Sequence, residues 1–160
     1  DLAIRITSDL EPGLIAKKFA TCHTVICASA AYLTRNGTPE HPSDLTAHNC
    51  LTHVYSTKSE WQFRHQNELY SVPISGSLST NEGNVLMDVA LQGMGIAKLP
   101  LYLAAPHLEN GSLIHLLPDY KSHEMGIYGV YTSRQFMSKA LRALLDFLSA
   151  YFDMPKRQIM

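Results

Sequence analysis

The sequence lacks an excess of charge of either sign: 13 Lys and Arg stand against 14 Asp and Glu, and only 17% of its 160 residues are charged. A surface that binds nucleic acid needs clustered Lys and Arg to neutralise phosphates, and the chain has no basic stripe of this kind. Long apolar runs are also missing, since Arg142 and Asp146 interrupt even the stretch Leu141–Leu148. A membrane-spanning helix needs about 20 apolar residues, so we do not expect contact with a membrane.

Cysteine is scarce, and its spacing shows no pairing. Cys22, Cys27 and Cys50 form no Cys-x-x-Cys motif, and so small and odd a set does not make a disulfide framework. We therefore expect reduced thiols and a cytoplasmic location. The start of the chain has no basic segment or long apolar segment typical of a signal peptide. Asp1-Leu-Ala-Ile-Arg5 resembles the interior of a strand, so we expect the chain to begin inside a longer protein.

The order of the predicted elements indicates an α/β protein. With 46% apolar residues, the chain is long enough for one domain or two small lobes with real cores. Strand-like and helix-like segments alternate along it. The predicted strands are Leu2–Thr7, Thr24–Ala28, Cys50–Tyr55, Trp61–Arg64, Leu69–Pro73, the end of Gly95–Pro100, Leu113–Leu117 and Ile127–Tyr131. The predicted helices are one capped by Ser29 and ended by Gly37, one at Asp44-Leu45, one capped by Ser79 and ended by Gly93, one opened by Pro100 and ended by Pro106, and one from Ser138 to Phe152.

The third of these helices offers a candidate anion site. Ser79 and Glu82, three residues apart, predict a capping box before an apolar stripe that begins at Val85 and Leu86. The start of a helix presents unpaired N–H groups and the positive end of the helix dipole. It can therefore hold a small carboxylate, with the polar side chains of residues 79–81 as further donors. The alternative is an ordinary helix cap that binds nothing.

Metal binding and catalysis find weaker support. The segment His48-Asn-Cys50-Leu-Thr-His53 suggests metal ligands, but zinc needs four, and strand alternation places Cys50 and His53 on opposite faces. No Gly-x-Ser-x-Gly elbow is present. The segment Gly93-Met-Gly95-Ile96 lacks the Lys-Ser/Thr of a phosphate-binding loop and follows a helix. We therefore expect no metal, no cofactor and no catalysis.

Motifs along almost the whole chain resemble LysR-type transcriptional regulators in their order and spacing. They are Asp1-Leu-Ala-Ile-Arg5, Val25-Ile-Cys-Ala-Ser29, Ala31-Tyr32-Leu33, Gly37-Thr-Pro39, His41-Pro-Ser-Asp44-Leu45, His48-Asn-Cys50-Leu51, Gly93-Met-Gly95-Ile96-Ala97, Leu99-Pro100, Gly111-Ser-Leu113, Leu117-Pro118, Ile127-Tyr128 and Leu145-Asp146-Phe147-Leu148. The resemblance implies an effector-binding domain with the type 2 periplasmic-binding-protein-like fold. That fold has two α/β lobes, a hinge and an inter-lobe cleft.

The resemblance also implies how the chain is divided. Residues 1–24 and 125–160 correspond to part of lobe I, and residues 25–124 correspond to lobe II. The crossover segments near Thr24–Ala28 and Glu124–Ile127 form the hinge. The winged helix-turn-helix, the linker helix and the first half of lobe I precede this region in the family. We therefore expect an effector domain truncated at its N-terminus, whose promoter DNA is bound only through the missing N-terminal domain.

The family mechanism implies a small-molecule effector in the cleft that changes the geometry of a dimer or tetramer and its hold on promoter DNA. By position, the candidate contacts are Arg5 and Thr7 at the rim of lobe I, Ser29 near the hinge, and Thr80, Asn81, Glu82 and Gly83 at the helix start that faces the cleft. Arg5 either pairs with an effector carboxylate or forms a salt bridge within lobe I. Glu82 disfavours a strongly acidic effector unless it folds back as the capping-box partner.

Two other functions share this architecture. A periplasmic solute-binding protein of a transport system would carry an export signal. An enzyme on a related scaffold would bring a nucleophile and a base, or metal ligands, into the cleft, and no such set is evident. Our interpretation is the effector-sensing domain of a regulator and not an enzyme.

Overall fold

The structure is a computed structural model that describes residues 2–7, 10–54, 60–122, 124–131 and 137–153. Its strands are β1 (Leu2–Thr7), β2 (Ile15–Cys22), β3 (Thr24–Ala28), β4 (Cys50–His53), β5 (Glu60–His65), β6 (Glu68–Pro73), β7 (Ser79–Thr80), β8 (Ile96–Pro100), β9 (Ile114–Leu116), β10 (Lys121–Ser122) and β11 (Met125–Tyr131). Its α-helices are α1 (Ala30–Asn36), α2 (Gly83–Leu91), α3 (Leu101–Glu109) and α4 (Lys139–Phe152), and Pro42–Ala47 form a 3₁₀ helix. The chain is mixed α/β, as predicted.

The chain forms two compact units. The first unit comprises Asp1–His23 and Glu124–Met160, and the second unit comprises Thr24–His123. These divisions fall one residue from the boundaries that the sequence motifs imply. The identification of the units with lobes I and II is taken up below as a proposal.

The first unit consists of an antiparallel sheet and one helix. The strand order is β1-β11-β2, and α4 packs against β2. Its buried core residues are Phe19, Tyr131 and Leu145, and the rings of Phe19 and Phe152 stack with centroids 5.9 Å apart. Ser138 caps α4 as predicted, since its hydroxyl accepts the Leu141 N–H at 3.1 Å.

The second unit is built on a five-stranded sheet in the order β7-β4-β8-β3-β9. Strands β7, β4 and β8 are parallel, whereas β3 is antiparallel to β8 and β9. The carboxyl ends of the parallel strands therefore share one edge with the start of β3. We call this the carboxyl edge; it is marked by Thr80, His53, Pro100 and Thr24.

Both faces of this sheet are covered. On one face, Leu86 and Ala90 of α2 and Ala104 of α3 form a core with Val25, Cys27 and other residues of the sheet. On the other face, Ile26 and Ile96 pack against Trp61 and Phe63, which belong to a second sheet of order β10-β5-β6. The two cores leave the carboxyl edge as the place where polar side chains of several strands converge.

Two predicted features of the elements are wrong. The sequence does not predict strand β2, because buried and exposed residues do not alternate along it: Phe19 and Cys22 are its buried residues. Its register with β11 shifts between Ile127 and Tyr128, so Phe19 is the extra residue of a β-bulge. Pro106 does not end the helix that Pro100 opens, since it lies inside α3. It removes one backbone hydrogen bond there, and α3 continues through it with Ala104 buried against the sheet.

The other predicted helices and strands agree with the structure to within a few residues, apart from the start of α2, described below; the two-residue strands β7 and β10 were not predicted. Ser29 caps α1, and Gly37 ends it with a φ of 83°. The predicted strand Cys50–Tyr55 ends at His53, and Tyr55 lies outside the described residues. Among the residues that the structure describes, no helix is both long enough and apolar enough to cross a membrane.

Candidate functional site

The start of α2 differs from the predicted capping box. Ser79 does not cap the helix but lies in β7, where it pairs with Thr52 of β4. The sheet holds this segment extended, because the Val54 N–H also donates to the Thr80 carbonyl at 3.0 Å. The helix therefore starts later than predicted, with Glu82 at the N-cap position and no side-chain hydrogen bond at the cap.

The late start leaves amide donors at the carboxyl edge. Leu86 donates the first backbone hydrogen bond of α2, to the Glu82 carbonyl at 3.3 Å. In the described part of the chain, the N–H groups of residues 83–85 meet no capping side chain. The Thr80 hydroxyl accepts the Glu82 N–H at 3.2 Å, and Asn81 and Glu82 are exposed. Such an N-terminus can donate hydrogen bonds to an oxyanion or a polar group.

Lys98 is a functional candidate that the sequence analysis missed. It lies in β8 between the fully buried Ala97 and Leu99, and burial lowers the pKa of its ammonium group to about 8. The signal was present in the sequence, as a single charge inside the otherwise apolar segment Gly95–Pro100. In open α/β sheets, ligands bind outside the carboxyl ends of the strands, and β8 ends at that edge.

The structure does not bring Ser29 together with the start of α2. Ser29 follows the end of β3, which is antiparallel to β8, so it lies at the opposite edge of the sheet from Thr80. Its side chain is 5% exposed, and its hydroxyl accepts the Tyr32 N–H at 3.4 Å as the cap of α1. Its hydrogen bonds therefore account for a structural role.

Arg5 and Thr7 belong to β1 of the first unit. Arg5 forms an ion pair with Glu11 at 3.4 Å, and both side chains are largely exposed. This pair is the salt bridge that the sequence analysis left open as an alternative. Exposed ion pairs contribute little to stability, so the guanidinium can exchange Glu11 for another carboxylate at low cost. Thr7 is half-buried at the end of the strand.

The cysteines and histidines are arranged for packing. Cys27 and Cys50 contribute to cores on opposite faces of the sheet, and burial raises the pKa of each thiol to about 12, so neither forms a thiolate near neutral pH. His48 shares a hydrogen bond with the Tyr32 hydroxyl at 3.1 Å. Over the described ranges, no group of three or more His, Cys, Asp or Glu residues could hold a metal ion.

Known regulators are similar to this chain in sequence. The HTH-type transcriptional regulator DmlR of Escherichia coli K12 is 34% identical over 157 residues, which are 95% of this chain and 50% of that protein. The HTH-type transcriptional activator TtdR of the same strain is 32% identical over 153 residues, 94% of this chain and 49% of that protein. The chain thus spans about half the length of the curated relatives it matches.

Solved structures agree with these relatives. The full-length virulence activator AphB of Vibrio cholerae, a member of the LysR-type family, superposes with a TM-score of 0.81 and 26% identity, covering 95% of this chain and 52% of that one. The regulatory domain of the LysR-type regulator CrgA of Neisseria meningitidis gives a TM-score of 0.78 and 29% identity, covering 95% of this chain and 75% of that domain. These likenesses do not favour a transport protein.

The family model described as the LysR substrate binding domain matches residues 1–153. The mixed α/β elements and the structural neighbours agree with the type 2 periplasmic-binding-protein-like fold of LysR-type regulatory domains. The chain belongs to the family of LysR substrate-binding domains.

Proposed function

We propose that this chain is the part of a LysR-type transcriptional regulator that senses a small-molecule effector. The family match over residues 1–153 carries the proposal. In it, the second unit is lobe II and the first unit is part of lobe I. Effector binding biases the arrangement of the subunits in a homo-oligomer, a dimer or tetramer. This arrangement changes the affinity for promoter DNA, which is bound by a helix-turn-helix outside this chain. The role is cytoplasmic and involves no catalysis.

The start of α2 is the proposed contact of lobe II with the effector. The uncapped N–H groups after Glu82 donate to an effector oxygen, and the Asn81 amide adds a donor and an acceptor. Gly83 lets the start of α2 pack closely against α3, since a Cβ there would lie 3.0 Å from the Leu103 side chain. Glu82 accepts hydrogen bonds from hydroxyl or ammonium groups of the effector.

Lobe I contributes Arg5 and Thr7 in this proposal. Among the described residues, the Arg5 guanidinium contacts the Glu11 carboxylate through one nitrogen in an exposed pair, so an effector carboxylate can replace Glu11 and bind the guanidinium bidentately. Ser29 is assigned to capping α1 and not to the effector, because its hydroxyl is buried and its partner is Tyr32.

A thermal-shift screen tests the site. The 160-residue chain is mixed with a panel of organic acids, amino acids and aromatic compounds, and its melting temperature Tm is recorded. We expect a compound that stabilises the wild type but not Asn81→Trp, because the indole fills the space in front of α2. Gln92→Trp, an equally exposed change at the other end of α2, should keep the full response.

Two results would contradict the proposal. If no compound stabilises the wild type, the sensing role fails. If a compound stabilises Asn81→Trp as strongly as the wild type, the role stands but the start of α2 is not the contact. A stabilising compound should also change the affinity of the full-length regulator for its promoter DNA, which a gel-shift titration measures.

A further inference from the structure

Lys98 is a charged residue in an apolar strand. Its neighbours Ala97 and Leu99 are fully buried, and across the antiparallel pair with β3 its partner is Ile26, which is also buried. The side chain itself is only partly exposed. A lysine in such a position loses most of the hydration that stabilises its ammonium group.

No described residue compensates this charge. Neither of the ion pairs in the described part of the chain involves Lys98, and its ammonium group forms no hydrogen bond there. Burial lowers the pKa of Lys98, and no carboxylate of the described residues opposes this effect. Buried charges in proteins are normally paired, because an unpaired one destabilises the fold. A pKa of about 8 still leaves the group mainly protonated at neutral pH.

The strand registers place hydroxyl groups on the same face of the sheet as this lysine. Residues paired across neighbouring strands share a face, so Lys98 lies on the same face as Ile26. Two residues before Ile26, Thr24 lies on that face, and its hydroxyl donates to Ser122 at 2.9 Å. In β4, Thr52 follows the Leu51↔Ala97 pair by one residue, so it lies on the same face of the sheet as Lys98.

These hydroxyls leave hydrogen-bonding capacity for a ligand. Ser122 accepts from Thr24 and keeps its own hydrogen for another acceptor. The Thr52 hydroxyl makes a long bond of 3.4 Å to the Leu78 carbonyl, which a stronger acceptor can replace. An ammonium group flanked by hydroxyl donors suits an anionic oxygen.

We propose that Lys98, with Thr52 and Ser122, is an oxyanion subsite of the second unit that binds the carboxylate or phosphate group of the effector. The inference rests on the proposed sensing function and adds to it the chemical class of the effector. Because Glu82 carries a negative charge at the start of α2, the effector has an anionic group at Lys98 and neutral or cationic polar groups at Glu82.

The test measures the thermal stability of the 160-residue chain with sodium acetate, sodium succinate and sodium phosphate. Each salt is compared with sodium chloride at the same ionic strength and at pH 7. We expect Tm to rise with the carboxylates or with phosphate, and the more effective class identifies the anion. Lys98→Met should weaken this response about tenfold or more in apparent affinity, because a charge-assisted hydrogen bond is lost.

Two further variants separate the subsite from general charge effects. Lys139→Met removes an exposed lysine of α4 and should leave the response unchanged. Thr52→Val keeps the shape but removes the hydroxyl, and should weaken the response by several-fold. An equal response in Lys98→Met and wild type, or no response of the wild type to any of the three salts, would overturn the proposal.

The proposed function and this inference fail in different ways. A neutral compound from the screen that stabilises wild type and Lys98→Met alike would leave the sensing role intact and contradict the inference that the effector carries an anionic group at Lys98. An anion that stabilises the wild type through Lys98 but leaves the promoter affinity of the full-length regulator unchanged would support the subsite and contradict the role in sensing.

Discussion

Burial gives Lys98 a protonation equilibrium that depends on folding. Its pKa is about 8 in the folded chain against an ordinary value of 10.5, so between these pH values the unfolded chain binds more protons than the folded one. Stability then rises with pH across this window. Below pH 8 the buried charge costs up to about 3.4 kcal/mol. Lys98→Met should therefore be more stable than wild type at pH 7, and this advantage should shrink as the pH rises to 10.

Urea unfolding at pH 7, 8.5 and 10, in chloride buffer, measures this difference. Lys139→Met is the control, since its exposed side chain has no buried charge to relieve, and its difference from wild type should not vary with pH. A Lys98→Met variant that is less stable than wild type at pH 7 would show that the ammonium group has a stabilising partner.

Single residues were predictable where their partners are local. Ser29 and Ser138 were identified as caps because an N-cap hydroxyl accepts from an amide three residues later. Ser79 has the same local pattern, yet its pairing with Thr52 on a distant strand keeps it extended. Lys98 also depends on distant parts of the chain. Whether a carboxylate lies near its ammonium group is decided by the residues of β3 and β4, which the sequence around Lys98 does not show.

Among the elements, the β5–β6 hairpin has a turn that a substitution can stabilise. Gln66 and Asn67 both have positive φ, 46° and 70°, as a two-residue turn of type I′ requires. Asn is favoured at the first of these positions, whereas Gln adopts this conformation at a cost. Gln66→Asn should raise the free energy of unfolding by about 0.5 kcal/mol.

Urea unfolding also checks this change. Gln92→Asn is a matched control, since residue 92 has a φ of −72° and gains nothing from an amide that tolerates the left-handed region. A destabilised Gln66→Asn variant would indicate that the Gln66 side chain makes contacts that outweigh the backbone effect.

The elements themselves were largely predictable, and their exceptions share a physical cause. Strands with regular apolar runs, such as β3 and β8, matched the expectation because both faces of their sheet are buried. Strand β2 did not, because the bulge at Phe19 breaks the alternation of buried positions. The local pattern of apolar residues predicts whether a segment is a helix or a strand. Bulges and strand pairing depend on the partner strand, which the local pattern does not contain.

At the scale of the whole molecule, the two units have unequal cores. The second unit packs both faces of its five-stranded sheet, with clusters around Phe63 on one face and Leu86 on the other. Among its described residues, the first unit has one small cluster around Phe19, and it exposes Ile4 and Phe147 by 52% and 62%. Apolar burial is the main stabilising term in folding, so the second unit should be the more stable.

Amide hydrogen exchange compares the two units directly. Strand β11 lies between two strands in the first unit, as β8 does in the second, so the comparison is between interior strands of the two sheets. Local unfolding free energies follow the buried apolar contacts of each cooperative region. The amides of Ile127–Val130 should therefore exchange at least about tenfold faster than those of Ile96–Leu99, a difference of about 1.4 kcal/mol. Equal exchange rates in the two strands would instead show that the units unfold as one, and the smaller core of the first unit would then be stabilised by contacts beyond its own cluster.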